Sequence, residues 1–156
     1  MSTNRIGIDS AKAEKLAEEL NSLLSTYQVH YQNLRGFHWN IKGNQFFELH
    51  LKFEELYNDA QVKIDEIAER ILTLGHRPLH SFSAYLDASK VKPVMDLSDG
   101  QQTIETVLAD LKVILQIERG MLELASEAED EGTLTLVTDY ITQQEKLIWM
   151  LSSYLG

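Results

Sequence analysis

Apolar residues recur along this chain at steps of three and four, the period of a helix that buries one face. A first stripe runs Leu16, Leu20, Leu23, Leu24, Tyr27, Tyr31 and Leu34, and His38 falls on its next step. Asp9 or Ser10 stands before it as a cap, and Gly43-Asn44 marks a tight turn after it. A second stripe is Leu49, Phe53, Leu56, Ala60, Ile67, Ile71 and Leu74. It predicts a helix from about Gln45 to Leu74, with Gly75 as its stop. Ile104, Val107, Leu108, Leu111, Ile114, Leu115, Met121, Leu122 and Ala125 predict a third helix over about Gly100 to Glu127. Val137, Tyr140, Ile141, Leu147, Ile148 and Leu151 predict a fourth over about Gly132 to Tyr154.

The connections between these helices set the topology. The first and last are short, so each joins antiparallel neighbours. The middle one, His76 to Asp99, is long enough to run the length of the second helix, about 45 Å. It has room for a short helix over Phe82 to Ala88, and it sets the third helix parallel to the second. An all-α bundle of four helices with one long crossover is the ferritin-like topology. Another four-helix bundle is the alternative at this point. A single domain over 1–156 is expected from the length, which suffices for a buried core.

Composition narrows the class further. Hydrophobic residues make up 44%, which excludes a disordered chain, and Pro78 and Pro93 are the only prolines. No apolar run approaches the roughly 20 residues needed to span a membrane, and Met1 to Asp9 lacks a signal-peptide core. A soluble cytoplasmic protein is expected. The formal charge is −10. That argues against a generic nucleic-acid surface, which needs clustered Lys and Arg, and suits attraction of cations.

The five histidines are His30, His38, His50, His76 and His80. None lies on the third or fourth helix, and neither helix carries a Glu-x-x-His pair. The di-iron centre that draws ligands from all four helices therefore cannot be built. On the second helix, His50, Glu54, Asp65 and Glu69 share a face about 100–200° from the core stripe at Leu49. One reading is a solvated acidic flank. The other is a binding face, favoured by Leu51, Val62, Ala68 and Leu72 on or beside it and by a histidine among the acids. His50 and Asp65 are separated by about 22 Å along one helix, too far to share an ion. Two copies of this helix packed antiparallel about a twofold axis near residues 57 and 58 would bring His50 of one opposite Asp65 of the other. Such a contact generates two identical sites. The turn at Gly43 lets His38 approach His50. The candidate ligands are then His38, His50 and Glu54 from one chain with Asp65 and Glu69 from its neighbour. Mixed imidazole and carboxylate ligation suits iron better than a closed zinc site.

The stretch His38-Trp39-Asn40-Ile41-Lys42-Gly43-Asn44-Gln45-Phe46, followed by His50, Phe53, Tyr57 and Asp65-Glu66-Ile67-Ala68-Glu69-Arg70-Ile71, resembles the signature of the Dps family of mini-ferritins. The steps from 38 to 50, 65 and 69 match that pattern. The similarity continues through Pro78, Tyr85-Leu86 and Glu145-Lys146 to Trp149. The resemblance implies a homo-dodecamer around a cavity, with a ferroxidase centre at the twofold interface that oxidises Fe(II), preferably with hydrogen peroxide and more slowly with dioxygen. It implies storage of the product as ferric mineral and protection against oxidative stress. Carried onto this chain, it makes His38, His50, Asp65 and Glu69 the ligands. Glu54 stands where the family often has Asp, and its extra methylene lengthens its reach. Trp39 sits beside the centre in this family, either as an interface-packing residue or as an acceptor of oxidising equivalents. Trp149 and Tyr57 are expected to pack. His30 lies about 12 Å from His38 along its helix, outside the ligand sphere. His76 and His80 are expected in the long connection, away from metal.

The same resemblance places an acidic pore for iron near the turn between the third and fourth helices, where Glu127, Glu129, Asp130 and Glu131 fall. Many family members bind DNA through a basic tail. Here Arg5 is the only basic residue before the first helix, and a dodecamer would carry a formal charge of about −120. DNA binding is therefore disfavoured. A DNA-compacting protein with secondary metal binding is the alternative function.

Overall fold

In a computed structural model describing residues 2–156, six helical segments form the fold: α1 (Ser10–Asn40), α2 (Phe46–Thr73), α3 (Phe82–Ala88), α4 (Gly100–Gly120), α5 (Leu122–Glu127) and α6 (Glu131–Leu155). Four of them start at side-chain caps. Asp9, Ser81, Asp99 and Asp130 accept hydrogen bonds from Lys12, Ala84, Gln102 and Thr133 N–H groups, each satisfying a donor that the helix leaves free. The end of α2 is a Schellman motif. Gly75 adopts φ +89°, its N–H donates to Leu72 C=O, and His76 N–H donates to Ile71 C=O.

The ends of the helices fix the topology. Gly43, at φ +109°, turns the chain between α1 and α2. Lys42 N–H donates to Ser98 C=O, and Gly100 sits against Gln45 and Leu49, so α4 begins beside the beginning of α2 and runs parallel to it. Gly132 lies against the Arg70 guanidinium, so α6 begins beside the end of α2 and runs back. This is the four-helix bundle with one long crossover that the connection lengths predict. Phe37, Phe53, Leu16, Leu20, Ile67, Ile71, Ile104 and Ile114 lie in a core contributed by all four long helices. The crossover is pinned to α1. Thr26 Oγ1 accepts from Lys90 N–H, and Asn33 both accepts from Val94 N–H and donates to Lys92 C=O.

One expectation needs correction. The predicted third helix over Gly100 to Glu127 is two helices, α4 and α5, broken at Gly120 and Met121. The ladder tightens there, with Met121 N–H donating to Glu118 C=O three residues back. Glycine has poor helix propensity, and the tightened turn still buries Met121 completely.

Candidate metal centre

His38 lies in the last turn of α1, where carbonyls lack helical donors. The N–H that would reach its carbonyl, that of Lys42, is drawn off to Ser98. His50 fills the vacancy, its Nδ1 lying 2.7 Å from His38 O. The relation is reciprocal, because His38 Nδ1 lies 2.6 Å from His50 O. A carbonyl only accepts, so both Nδ1 atoms carry a proton, and Nε2 is the ring atom each histidine has left to offer a metal. Fixing the tautomer through the far ring nitrogen is how metal-ligating histidines are oriented.

Packing holds the pair. The two imidazoles stack with centroids 3.8 Å apart and an interplanar angle of 12°. Phe46 stacks against His50 at 4.9 Å, and Tyr57 meets His38 edge-on at 5.4 Å. His38 is buried and His50 half-buried. Glu54, one turn beyond His50 on α2, brings Oε1 to 3.8 Å from His38 Nε2. The chain thus brings together two imidazole nitrogens and a carboxylate at one end of α2.

Asp65 and Glu69 are elsewhere. Both are exposed on α2, and 15 residues of helix separate Asp65 from His50, about 22 Å. Among the described residues, no three His, Asp or Glu side chains converge closely enough to hold a metal ion within one chain. Apolar residues share the side of α2 that carries the two acids. Leu51, Val62 and Leu72 on that side are 65%, 59% and 58% exposed. Asp65 and Val62 also border an open groove of about 630 Å³ lined by Tyr31, Ala68 and Tyr85. Apolar and acidic side chains thus stand exposed side by side on this face of α2.

A ferritin-like domain model matches residues 17–156. A DNA protection during starvation protein of Porphyromonas gingivalis is 45% identical over 148 residues, covering 95% of this chain and 93% of its own. The crystal structure of a DPS protein from Vibrio cholerae, described as a member of a broad superfamily of ferritin-like diiron-carboxylate proteins, is similar with a TM-score of 0.98. It is 54% identical and covers 100% of this chain and 98% of its own. The chain belongs to the Dps family. The crystal structure of Dps from Staphylococcus aureus, 34% identical, has a TM-score of 0.88 and covers 99% of each chain.

The remaining predicted positions of this Dps chain fall as follows. Trp39 is 57% exposed, and the Arg35 guanidinium lies over its ring at 4.8 Å. Arg35 also lies 5.5 Å from the Tyr31 ring, which meets Tyr57 edge-on. His30 is buried in the core, its Nδ1 3.6 Å from Asp110 Oδ2. Glu127, Glu129 and Glu131 are exposed at the α5–α6 turn, with Glu129 at φ +54°. Asp130 departs from its neighbours, and the expectation that it lines a pore needs correction. Its carboxylate is buried, paired with Arg70 Nη2 at 2.6 Å, and caps α6 through Thr133 N–H at 3.0 Å. A carboxylate so engaged has no free oxygen to offer a passing cation.

Sequence patterning missed one further polar group. Lys63, Glu118 and Gln144 are all buried on core-facing positions of α2, α4 and α6. The sign was a gap in the second stripe. Ala60 and Ile67 are seven residues apart, and Lys63 occupies the step between them.

Proposed function

We propose that this Dps protein is a ferroxidase that oxidises Fe(II) at sites shared between two copies of the chain and stores the ferric product inside a homo-dodecamer. The observation that carries the reading is the reciprocal histidine lock. His38 and His50 spend their Nδ1 protons on each other's backbone, leaving both Nε2 atoms for a metal, with Glu54 beside His38 and no complete ligand set within one chain among the described residues. Asp65 and Glu69 of a second copy supply the missing carboxylates when two α2 helices pack antiparallel about a twofold axis. The exposed strip of Leu51, Val62 and Leu72 supplies the apolar surface to bury there.

Fe(II) is the substrate. His38 and His50 bind it as neutral imidazoles, and the carboxylates of Glu54, Asp65 and Glu69 offset its charge and favour the more highly charged ferric product. Two ferrous ions give one electron each to hydrogen peroxide, whose O–O bond breaks at the level of water, so no hydroxyl radical is released. Dioxygen serves more slowly. The stack of Phe46, His50 and His38, met edge-on by Tyr57, walls one side of the site. Trp39, beside His38 in sequence and with the Arg35 guanidinium over its ring, packs at the interface in this reading and intercepts stray oxidising equivalents. Glu127 and Glu131 form the acidic turn through which iron enters. Protection against oxidative stress in the cytoplasm follows from removing both reactants, and no helix among the described residues is long and apolar enough to cross a membrane.

The test is anaerobic loading with Fe(II) followed by peroxide. Wild type should develop ferric absorbance at once. A His50→Ala/Asp65→Ala variant that matches wild type in rate would discard the reading. The name of the Porphyromonas gingivalis relative favours a second reading, protection of DNA by compaction. The formal charge of −10 per chain opposes it. Retention of plasmid by the metal-free protein in a low-salt gel shift would support it.

A further inference from the structure

Phe47, in the first turn of α2, is 84% exposed. Its ring meets Phe46 edge-on at 5.4 Å, and Phe46 stacks on His50. One exposed apolar side chain needs no explanation by itself. The position of this one supplies an explanation. Eighteen residues, about five helical turns, separate Phe47 from Asp65, so the two lie on the same side of α2.

The other half of α2 carries a recess on that side. The open groove of about 630 Å³ is lined by Leu24 and Tyr31 of α1, Ile64, Asp65 and Ala68 of α2, and Tyr85 of α3. Tyr85 donates its hydroxyl proton to Leu79 C=O at 2.9 Å, which leaves its ring as an apolar wall. In the antiparallel register that sets His50 of one copy opposite Asp65 of the other, residue 47, three before His50, falls opposite residue 68, three after Asp65. Residues 47 and 68 differ in direction around the helix by the same roughly 60° as residues 50 and 65 do, so the two pairs face each other equally well. Ala68 is the small residue at that place. A twofold axis repeats the contact at both ends of the pair. Each Phe47 can bury about 150–250 Å² of the roughly 800 Å² that each partner of a stable dimer contributes, and the exposed Leu51, Val62 and Leu72 continue the same surface.

We propose that Phe47 interlocks two copies of this chain: it seats in the groove of the second copy beside Ala68, and so holds that copy's Asp65 in line with His50. The inference rests on the twofold packing proposed above, but its test uses metal-free protein and no oxidation. Phe47 is replaced by the photoreactive analogue benzoylphenylalanine, which keeps an aromatic ring at this position. After illumination, covalent dimers are isolated on a denaturing gel and the linked peptides are identified by mass spectrometry. The link should run from residue 47 to the stretch 61–68 or to Tyr85 of another chain. Phe47→Ala is studied alongside by sedimentation. It should raise the subunit concentration at which the assembly dissociates by at least about a hundredfold, since each dimer loses two anchors. Phe47→Leu, which keeps apolar bulk, should stay within about tenfold of wild type. Links to any other surface, or a Phe47→Ala assembly that dissociates at the wild-type concentration, would overturn the proposal. A link to the groove in a protein that does not oxidise Fe(II) would support it while removing the ferroxidase reading, and oxidation without that link would do the reverse.

Discussion

Replacing His50 with alanine removes one ring and three interactions, and the structure says what each is worth. The Nδ1–H bond to His38 C=O disappears, leaving a part-buried carbonyl at the end of α1 whose usual donor is committed to Ser98. That costs about 1–2 kcal/mol. The stacking on His38 and on Phe46 disappears, at about 0.5–1.5 kcal/mol each. The total is roughly 3 kcal/mol, which lowers Tm by about 6–12 °C for a chain of this size. His38 itself stays anchored, because its Nδ1 bonds the backbone oxygen of residue 50, which alanine retains. His38→Ala should therefore cost a similar amount. The double variant should cost about 1 kcal/mol less than the two single losses together, since the ring-on-ring contact is counted once. The assay is thermal or urea unfolding of metal-free protein at one fixed subunit concentration. A His50→Ala protein within 0.5 kcal/mol of wild type, on the order expected for surface changes, would show that the lock carries no energy. Strict additivity in the double variant would show that the rings do not touch.

Three further changes follow from buried polar groups. Burial raises the Glu118 carboxyl pKa from 4.5 to about 8, against the lowering effect of Gln144 and Lys63. The folded state thus binds the proton more tightly than the unfolded chain, and wild type loses stability as pH rises from about 4.5 through about 8. Glu118→Gln should lack that loss, gaining a few kcal/mol over wild type across the window in urea unfolding; a constant difference from pH 4 to 9 would refute it. Asp130→Ala strands the Arg70 guanidinium and uncaps α6, and should cost about 3–5 kcal/mol in unfolding free energy, whereas removing the exposed Glu127 should cost less than about 0.5 kcal/mol. Asn33→Ala frees the crossover at Lys92 and Val94 and should speed proteolytic cutting between Ser89 and Asp99; an unchanged cutting pattern would mean that the crossover is held by other contacts.

Much of this molecule is legible in sequence because its long helices obey one period. α3 starts and stops where Ser81 and the long connection allow, and α2 ends at Gly75 because only a positive φ closes that turn. The break at Gly120 was not legible, since the apolar stripe passes through it with steps unchanged and buries Met121 on the far side. The positions of His38 and His50 follow from spacing, but their exchange of Nδ1 bonds depends on Lys42 being diverted to Ser98, a contact made across the crossover. Asp130 reads as one acid among four in the turn. Only the arrival of Arg70 from a distant helix separates the structural carboxylate from the exposed ones. Lys63 escaped for the opposite reason: a lysine in a core stripe reads as a gap, and its partners Asp59, Gln143 and Tyr140 lie partly on another helix.

The central claim is that each site borrows ligands from two chains, and co-assembly of two inactive variants tests it most directly. His50→Ala and Asp65→Ala subunits are unfolded, mixed in equal amounts and reassembled, and peroxide-driven Fe(II) oxidation is measured. Each variant alone has no intact site. In the mixture a site is whole when its histidine comes from one variant and its aspartate from the other, which statistics allow for about one quarter of sites. Recovery of about a quarter of wild-type activity is the expected result. A mixture as inactive as its parents would contradict a shared site and require every ligand to come from one chain.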